Sequence, residues 1–298
     1  MNFPSRACRK HQEAIPLQNA ILTILIISLI SLATLSCSSF RHGRLLTWEE
    51  YIENPRIDPY ILELDTIDGS LFYYGAFHKL DPGDPQFEDI EQKWERFRPT
   101  NAFCEGRIWP LEESRTKAIR MHGEQGLITF LAARDGIPIQ CIDPPFAEQT
   151  RYLRKFFPPV QIKIYYILRQ ANINKMLGRE DKNSDDTHYL LRKMEKIKRL
   201  KCFPSTLLQF EYIVSKLFPE LDNWQDIPYT YFRSSEKGRF LPDVHRKLNE
   251  YRDHIMIKNV TKALKKGKRV FAVVGRSHVF KQQSILRSLI LQKIHYVR

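Results

Sequence analysis

KRVFAVVGRSH, residues 268–278, is the stretch from which the fold can be read. Five apolar residues, Val270 to Val274, run into Gly275, and His278 follows three positions later. A short β-branched and aromatic run, bounded by basic, Gly-containing punctuation, reads as a strand buried on both faces. Gly275 lets the backbone turn sharply or come close to another group. His278 then stands just beyond the C-terminal end of a buried strand, where open α/β sheets hold their ligands. Leu71–Tyr74 followed by Gly75-Ala76-Phe77-His78 repeats the device. One such unit is weak evidence. Two point to a pair of imidazoles converging on one site.

Working outward, strands and helical patterns alternate through residues 48–147. Ile61–Leu64 and Ser70–Tyr74 predict a hairpin around Asp68-Gly69. Asp84-Pro85 reads as a helix start, with Phe87, Ile90, Trp94 and Phe97 as one apolar stripe. Asn101–Cys104 is a second parallel strand, paired with the first, and it delivers Glu105 at its end. A carboxylate in that place suits a metal ligand or general base, and equally a helix cap or surface ion pair. His122-Gly123-Glu124 opens the next helix, where Glu124 by itself only complements the helix dipole. Ile137–Ile142 is a third strand, ending at Asp143.

From about residue 148 to 243 the pattern is helical. Phe146–Phe157, Val160–Leu177, Tyr189–Leu200 and Ser205–Phe218, the last capped by Ser205, read as helices that cover the active edge of the sheet. Arg192, Lys193, Lys196, Lys198, Arg199 and Lys201 form a basic face that reads first as solvated. His245–Lys266 is a long helix capped by Gly267. Arg252 lies within it; an inward Arg has a carboxylate or an anionic ligand as partner, and an outward one an exposed ion pair. The expected fold is therefore α/β: a mainly parallel central sheet flanked by helices, with a helical insertion in the middle.

The 298 residues allow one large domain or two small ones, and 43% apolar with 27% charged residues exclude global disorder. Net charge is +13, which favours acidic partners. No nucleic-acid signature accompanies it, so no nucleic acid is expected. Five cysteines do not make a disulfide scaffold. Cys104 and Cys141 could pair in an oxidising compartment, but buried free thiols are the simpler reading.

Residues 1–37 read as a leader. Arg6, Arg9 and Lys10 precede the apolar stretch Ala20–Leu35, which exits at Ser36-Cys37-Ser38. That pattern resembles a bacterial lipoprotein signal, lipidated at Cys37, although Thr34 stands where a leucine is usual. The alternative is an uncleaved anchor. Either would place the protein outside the cytosol, at a membrane surface.

GAFH at Gly75–His78 and GRSH at Gly275–His278 resemble the TraB/GumN and TIKI family, within a superfamily that includes erythromycin esterase-like and ChaN-like proteins. Glu105 in FCEG, Gly123-Glu124 and Arg252 in YRDHIM match further pieces of the pattern. The third strand departs from it, with Asp143-Pro144 where Glu-Pro would be expected. The resemblance implies both histidines and Glu105 at one edge of an α/β core spanning residues 48–298. For a TIKI-like member it implies a metal-dependent hydrolase of peptides or esters. His78, Glu105 and His278 would hold Mn²⁺, Co²⁺ or Zn²⁺. Glu124 would act as general base or orienter, and Arg252 would bind an anionic group or developing oxyanion. For a ChaN-like member it implies a lipoprotein that binds haem or an anionic ligand without catalysis.

Overall fold

A computed structural model describes residues 43–54, 59–179, 183–197, 200–233 and 239–294. The expected leader, with Cys37, lies outside the described residues, as do Lys198 and Arg199 of the basic face.

The sheet is built from β1 (Tyr60–Asp65), β2 (Ser70–Ala76), β3 (Asn101–Cys104), β4 (Ile139–Cys141) and β5 (Arg269–Gly275), in the order β1-β2-β5-β3-β4. Only β1 runs antiparallel, as the first arm of the hairpin turned at Asp68-Gly69. The β2 and β3 strands are parallel as expected but are not neighbours, because β5 inserts between them and pairs with both. Val270–Val274 is thus the centre of the sheet, which explains why that run is apolar without alternation.

Side chains alternate between the two faces. Phe72, Tyr74, Phe271 and Val273 pack under α2 (Pro85–Phe97) and α3 (Arg115–Arg134), with Phe72 stacked on Phe271 at 4.9 Å. Asp84 caps α2 by accepting from the Gln86 N–H at 3.0 Å, and Pro85 occupies its first position. On the other face Tyr73, Val270, Ala272 and Val274 meet α8 (Leu241–Leu264) and α9 (Arg276–Ile294).

The short α1 (Trp48–Glu53) opens with a capping box between Thr47 and Glu50. The middle of the chain forms α4 (Phe146–Leu153), α5 (Pro159–Met176), α6 (Asn183–Glu195) and α7 (Leu207–Leu217). Thr206, rather than the expected Ser205, caps α7 by accepting from the Gln209 N–H. These helices share their own core with Leu241, Val244 and Leu248 of α8. The 24 residues of α8 therefore serve two cores, since Met256, Val260 and Leu264 pack on the sheet. Arg252 and Asp253 lie at the seam between the two.

Candidate active site

Three adjacent strands, β2, β5 and β3, end side by side, and each delivers one expected residue. No loop follows β5: α9 starts at Arg276, and His278 sits in its first turn. Gly275 matters here for close approach. A Cβ at Gly275 would stand 3.3 Å from Glu105 Oε2, 3.6 Å from His78 Nε2 and 3.7 Å from the His278 ring. His78, Glu105 and His278 therefore meet around one backbone position, and the Gly275 N–H donates to Glu105 Oε2 at 2.5 Å.

Each imidazole is oriented by its own carboxylate. His78 Nδ1–H donates to Glu124 Oε1 at 2.7 Å, and His278 Nδ1–H donates to Asp253 Oδ1 at 2.5 Å. That leaves both Nε2 atoms on the side of Glu105, with His278 Nε2 3.5 Å from Glu105 Oε1. Glu124 reaches His78 because α3 breaks at Gly123, whose φ is 59°. No side chain fits there: a Cβ would lie 2.6 Å from the Lys79 carbonyl oxygen, next to His78. The loop before His78 is held from the other side, as the Gln86 amide bonds both the N–H and the carbonyl of Phe77.

Arg252 is inward-facing, with carboxylates as partners. It donates from Nε and Nη2 to the two Asp143 oxygens at 2.9 and 2.7 Å, and from Nη2 to Glu105 Oε1 at 2.6 Å. Its remaining nitrogen donates to Asn249 Oδ1 at 3.1 Å. So Arg252 joins the ends of β3 and β4 to α8. Asp143 also accepts from the Gly106 N–H at 2.9 Å, which ties it to the residue after Glu105.

Four contributors, Asp253, Lys281, Gln282 and Gln125, belong to no sequence motif. Asp253, 1% exposed, accepts from His278, Lys281 and Gln282. Gln282 in turn accepts from the Tyr73 hydroxyl at 2.9 Å, deep in the sheet. Gln125 accepts from the Glu105 N–H at 3.0 Å and donates to the Val273 carbonyl, clamping β3 to β5. A single cue was available: Asp253 and Lys281 are charges inside otherwise apolar helix faces.

The electrostatics follow from these contacts. The Glu124 carboxylate outweighs burial and pushes the His78 pKa up to about 9. Burial alone would lower His278, but Asp253 and Glu105 leave it above the ordinary value. Burial would raise Glu105, yet His278 and Arg252 hold it well below the usual carboxylate range. Asp253, buried beside His278 and Lys281, is held at about 2 for the same reason. Cys104 and Cys141 face each other across β3 and β4 as free thiols; burial pushes Cys104 up to about 12 and Cys141 up to about 11, which favours the protonated form of both.

Above this floor opens a cleft of about 1510 Å³, roofed by α5 and α6 and lined by aromatic and basic side chains. Half of the His78 side-chain surface opens onto it, whereas His278 and Glu124 stay covered.

Residues 170–296 match the model of the TraB/PrgY/gumN family. That segment, less than half of the chain, is similar to the TraB family. It carries Arg252, Asp253, β5 and His278, while His78, Glu105 and Glu124 lie before the matched residues. The matched segment thus supplies one imidazole–carboxylate pair, and the part of the chain before it supplies the other. No curated protein and no solved structure matches the chain.

Among the described residues no three His, Cys, Asp or Glu side chains stand ready-made around a metal position. The donor chemistry nonetheless fits a divalent ion. Two imidazoles with Nδ1 fixed by carboxylates are the usual outer support of a histidine-ligated metal. Glu105 keeps lone pairs on both oxygens beyond those used by Arg252 and Gly275. The directly bonded set also holds four carboxylates, Glu105, Glu124, Asp143 and Asp253, against two permanent cations, Arg252 and Lys281. The two imidazolium charges complete the balance, so a divalent ion would enter in exchange for their two protons.

Proposed function

We propose that this chain is a metal-dependent hydrolase of peptides or esters, with its centre at Gly275. The observation that carries the reading is the pair of carboxylate-oriented imidazoles turned toward one buried glutamate. His78, Glu105 and His278 would hold the ion, which would supply a water of lowered pKa as nucleophile. Glu124 acts as an orienter, fixing the His78 tautomer from its Nδ1 side, and Asp253 does the same for His278. Arg252 is a positioning residue: it keeps Glu105 ionised and in place and ties it to Asp143. The cleft is larger than a typical small-molecule pocket of ~300–1,000 Å³, which supports an extended substrate.

The test is elemental analysis of the purified protein, supplied in turn with Mn²⁺, Co²⁺ and Zn²⁺, beside His78→Ala and His278→Ala. Near-stoichiometric metal in the wild type, lost in both variants, is expected, together with peptide or ester turnover that needs the metal. A wild type that takes up none of the three sinks the metallohydrolase reading and leaves the site to ligand binding.

Export and membrane tethering through residues 1–37 rest on the sequence pattern alone. No helix among the described residues is long and apolar enough to cross a membrane, so the leader is the candidate anchor. Fractionation of cells expressing wild type and Cys37→Ala tests this: release of the variant from the membrane is expected if Cys37 is lipidated.

A further inference from the structure

The floor of the cleft is charge-paired, but one of its walls is not. Lys and Arg outnumber Asp and Glu among the lining residues by nine to four, and the four acids are already held. Glu105, Asp143 and Glu124 belong to the floor, and Asp186 accepts from Asn174 at 2.8 Å and from Gln170 at 3.3 Å. Arg169, on α5, has no such partner. It is half-buried and lines the cleft, yet among the described residues no carboxylate, carbonyl or ring engages it. Arg252, by contrast, has every nitrogen committed and cannot turn to a ligand without abandoning two buried carboxylates.

Arg169 is also well placed. Its charge pushes the His78 and His245 rings towards their neutral forms, so it sits within electrostatic reach of both. The wall around it is stiff. His245 Nδ1 bonds the Tyr165 hydroxyl at 2.9 Å, and its Nε2 accepts from Asn249 at 3.0 Å, which links the wall to Arg252. Tyr229 packs on this wall with its hydroxyl 3.3 Å from His245 Nε2. Against Tyr229 leans Trp48, edge-on at 6.3 Å between ring centroids. The Trp48 Nε1–H is buried, and Trp48 lines the same cleft; among the described residues it has no acceptor. Arg169 lies within electrostatic reach of Tyr229, on which Trp48 packs, and among the described residues neither the guanidinium nor the indole N–H has an acceptor. Buried donors without partners call for an acceptor.

We infer that Arg169, assisted by Trp48 Nε1, binds an anionic group of the substrate, a carboxylate or a phosphate, on the cleft wall facing His78. This rests on the hydrolase reading only for the word substrate; anion binding itself does not depend on turnover. A planar guanidinium suits both anions through paired N–H donors. It gives the open cleft a fixed point from which the scissile bond is laid across the floor. Lys at the same position would keep the charge but lose the fork.

The experiment is isothermal titration of the purified protein with succinate, phenyl phosphate and the neutral succinamide, for wild type, Arg169→Gln, Arg169→Lys and Trp48→Phe, each checked for native circular dichroism. At least one anion is expected to bind wild type about tenfold or more tightly than Arg169→Gln, with succinamide silent. Arg169→Lys should recover part of the affinity and Trp48→Phe should lose a few-fold, since it keeps the ring but removes the donor. The preferred anion identifies the group as carboxylate or phosphate. Equal affinity in wild type and Arg169→Gln, equal binding of succinamide, or no binding of either anion overturns the inference. Metal uptake and turnover with neutral esters would survive that outcome, so the two readings fail separately.

Discussion

Replacing Arg252 by Met should be among the most destabilising single changes in this chain. The side chain is almost fully buried and makes three hydrogen bonds to two carboxylates. Those bonds are gross interactions of ~1.5–3 kcal/mol each, but the protein need not lose all of it. Asp143 would be left with the Gly106 N–H alone. Breaking a buried pair by removing one partner typically costs ~3–5 kcal/mol, because it leaves an uncompensated buried charge. A loss of ~4 kcal/mol in urea unfolding followed by circular dichroism is expected. For a domain of this size that corresponds to a melting point lower by about 8–16 °C. Arg246 lies on the same helix and pairs with Asp243 and Glu250 in solvent. Arg246→Met should cost less than ~1 kcal/mol. The double variant Arg252→Met/Asp143→Leu should recover at least half of the loss, because an apolar pair leaves one carboxylate fewer without a partner. A loss below ~1 kcal/mol for Arg252→Met, equal to that of Arg246→Met, would refute the claim that these ion pairs hold the site together.

Three further outcomes are expected. Asp253→Asn keeps the shape but weakens the hold on His278, so metal affinity by competition with a chromophoric chelator should fall ~10–100-fold; unchanged affinity would remove Asp253 from the site. Gly123→Ala forces a side chain into a left-handed position against the Lys79 carbonyl; it should cost more than ~1 kcal/mol in unfolding and loosen His78, whereas a neutral effect would mean that the break in α3 is incidental. Burial pushes the His245 pKa down to about 3, below its unfolded value, so its contribution to stability is complete above pH 6.5 and declines as pH falls towards 3. At pH 5 the loss is ~2 kcal/mol, visible as a shallower acid slope in His245→Asn, and parallel slopes for the two proteins would argue against it.

Much of this site could be read from the chain because strand ends are local. Val270–Val274 announces a central strand through composition, and the Gly-x-x-His spacing then places an imidazole at its end. The same holds for Leu71–Tyr74 with His78 and for Asn101–Cys104 with Glu105. What could not be read was adjacency. Pattern alone pairs β2 with β3, since they follow one another through one helix. The chain instead returns from far downstream to insert β5 between them. Asp253 was hidden for a related reason. A charge in the middle of a long helix is ordinarily a solvated one, and only the meeting of two cores on α8 buries it on all sides. Arg169 shows the opposite limit. Nothing distinguishes it in sequence from other basic residues of the helical middle, and its significance lies in the partner it lacks.

The division between floor and wall explains how so many charges coexist in one place. Every charge on the floor is opposed by another fixed to a different element: Arg252 of α8 by Asp143 and Glu105 at two strand ends, Asp253 of α8 by His278 and Lys281 of α9, Glu124 of α3 by His78 after β2. Each contact therefore also pins one layer of the fold to the next, and the geometry is set before any ligand arrives. A balanced floor has little preference for the sign or direction of what lies on it. The preference has to come from the wall, where Arg169 stands unopposed among the described residues. A ligand with one anionic end would enter a cleft of many possible poses and be left with few, which is the orienting contribution that hydrolysis of an extended substrate requires.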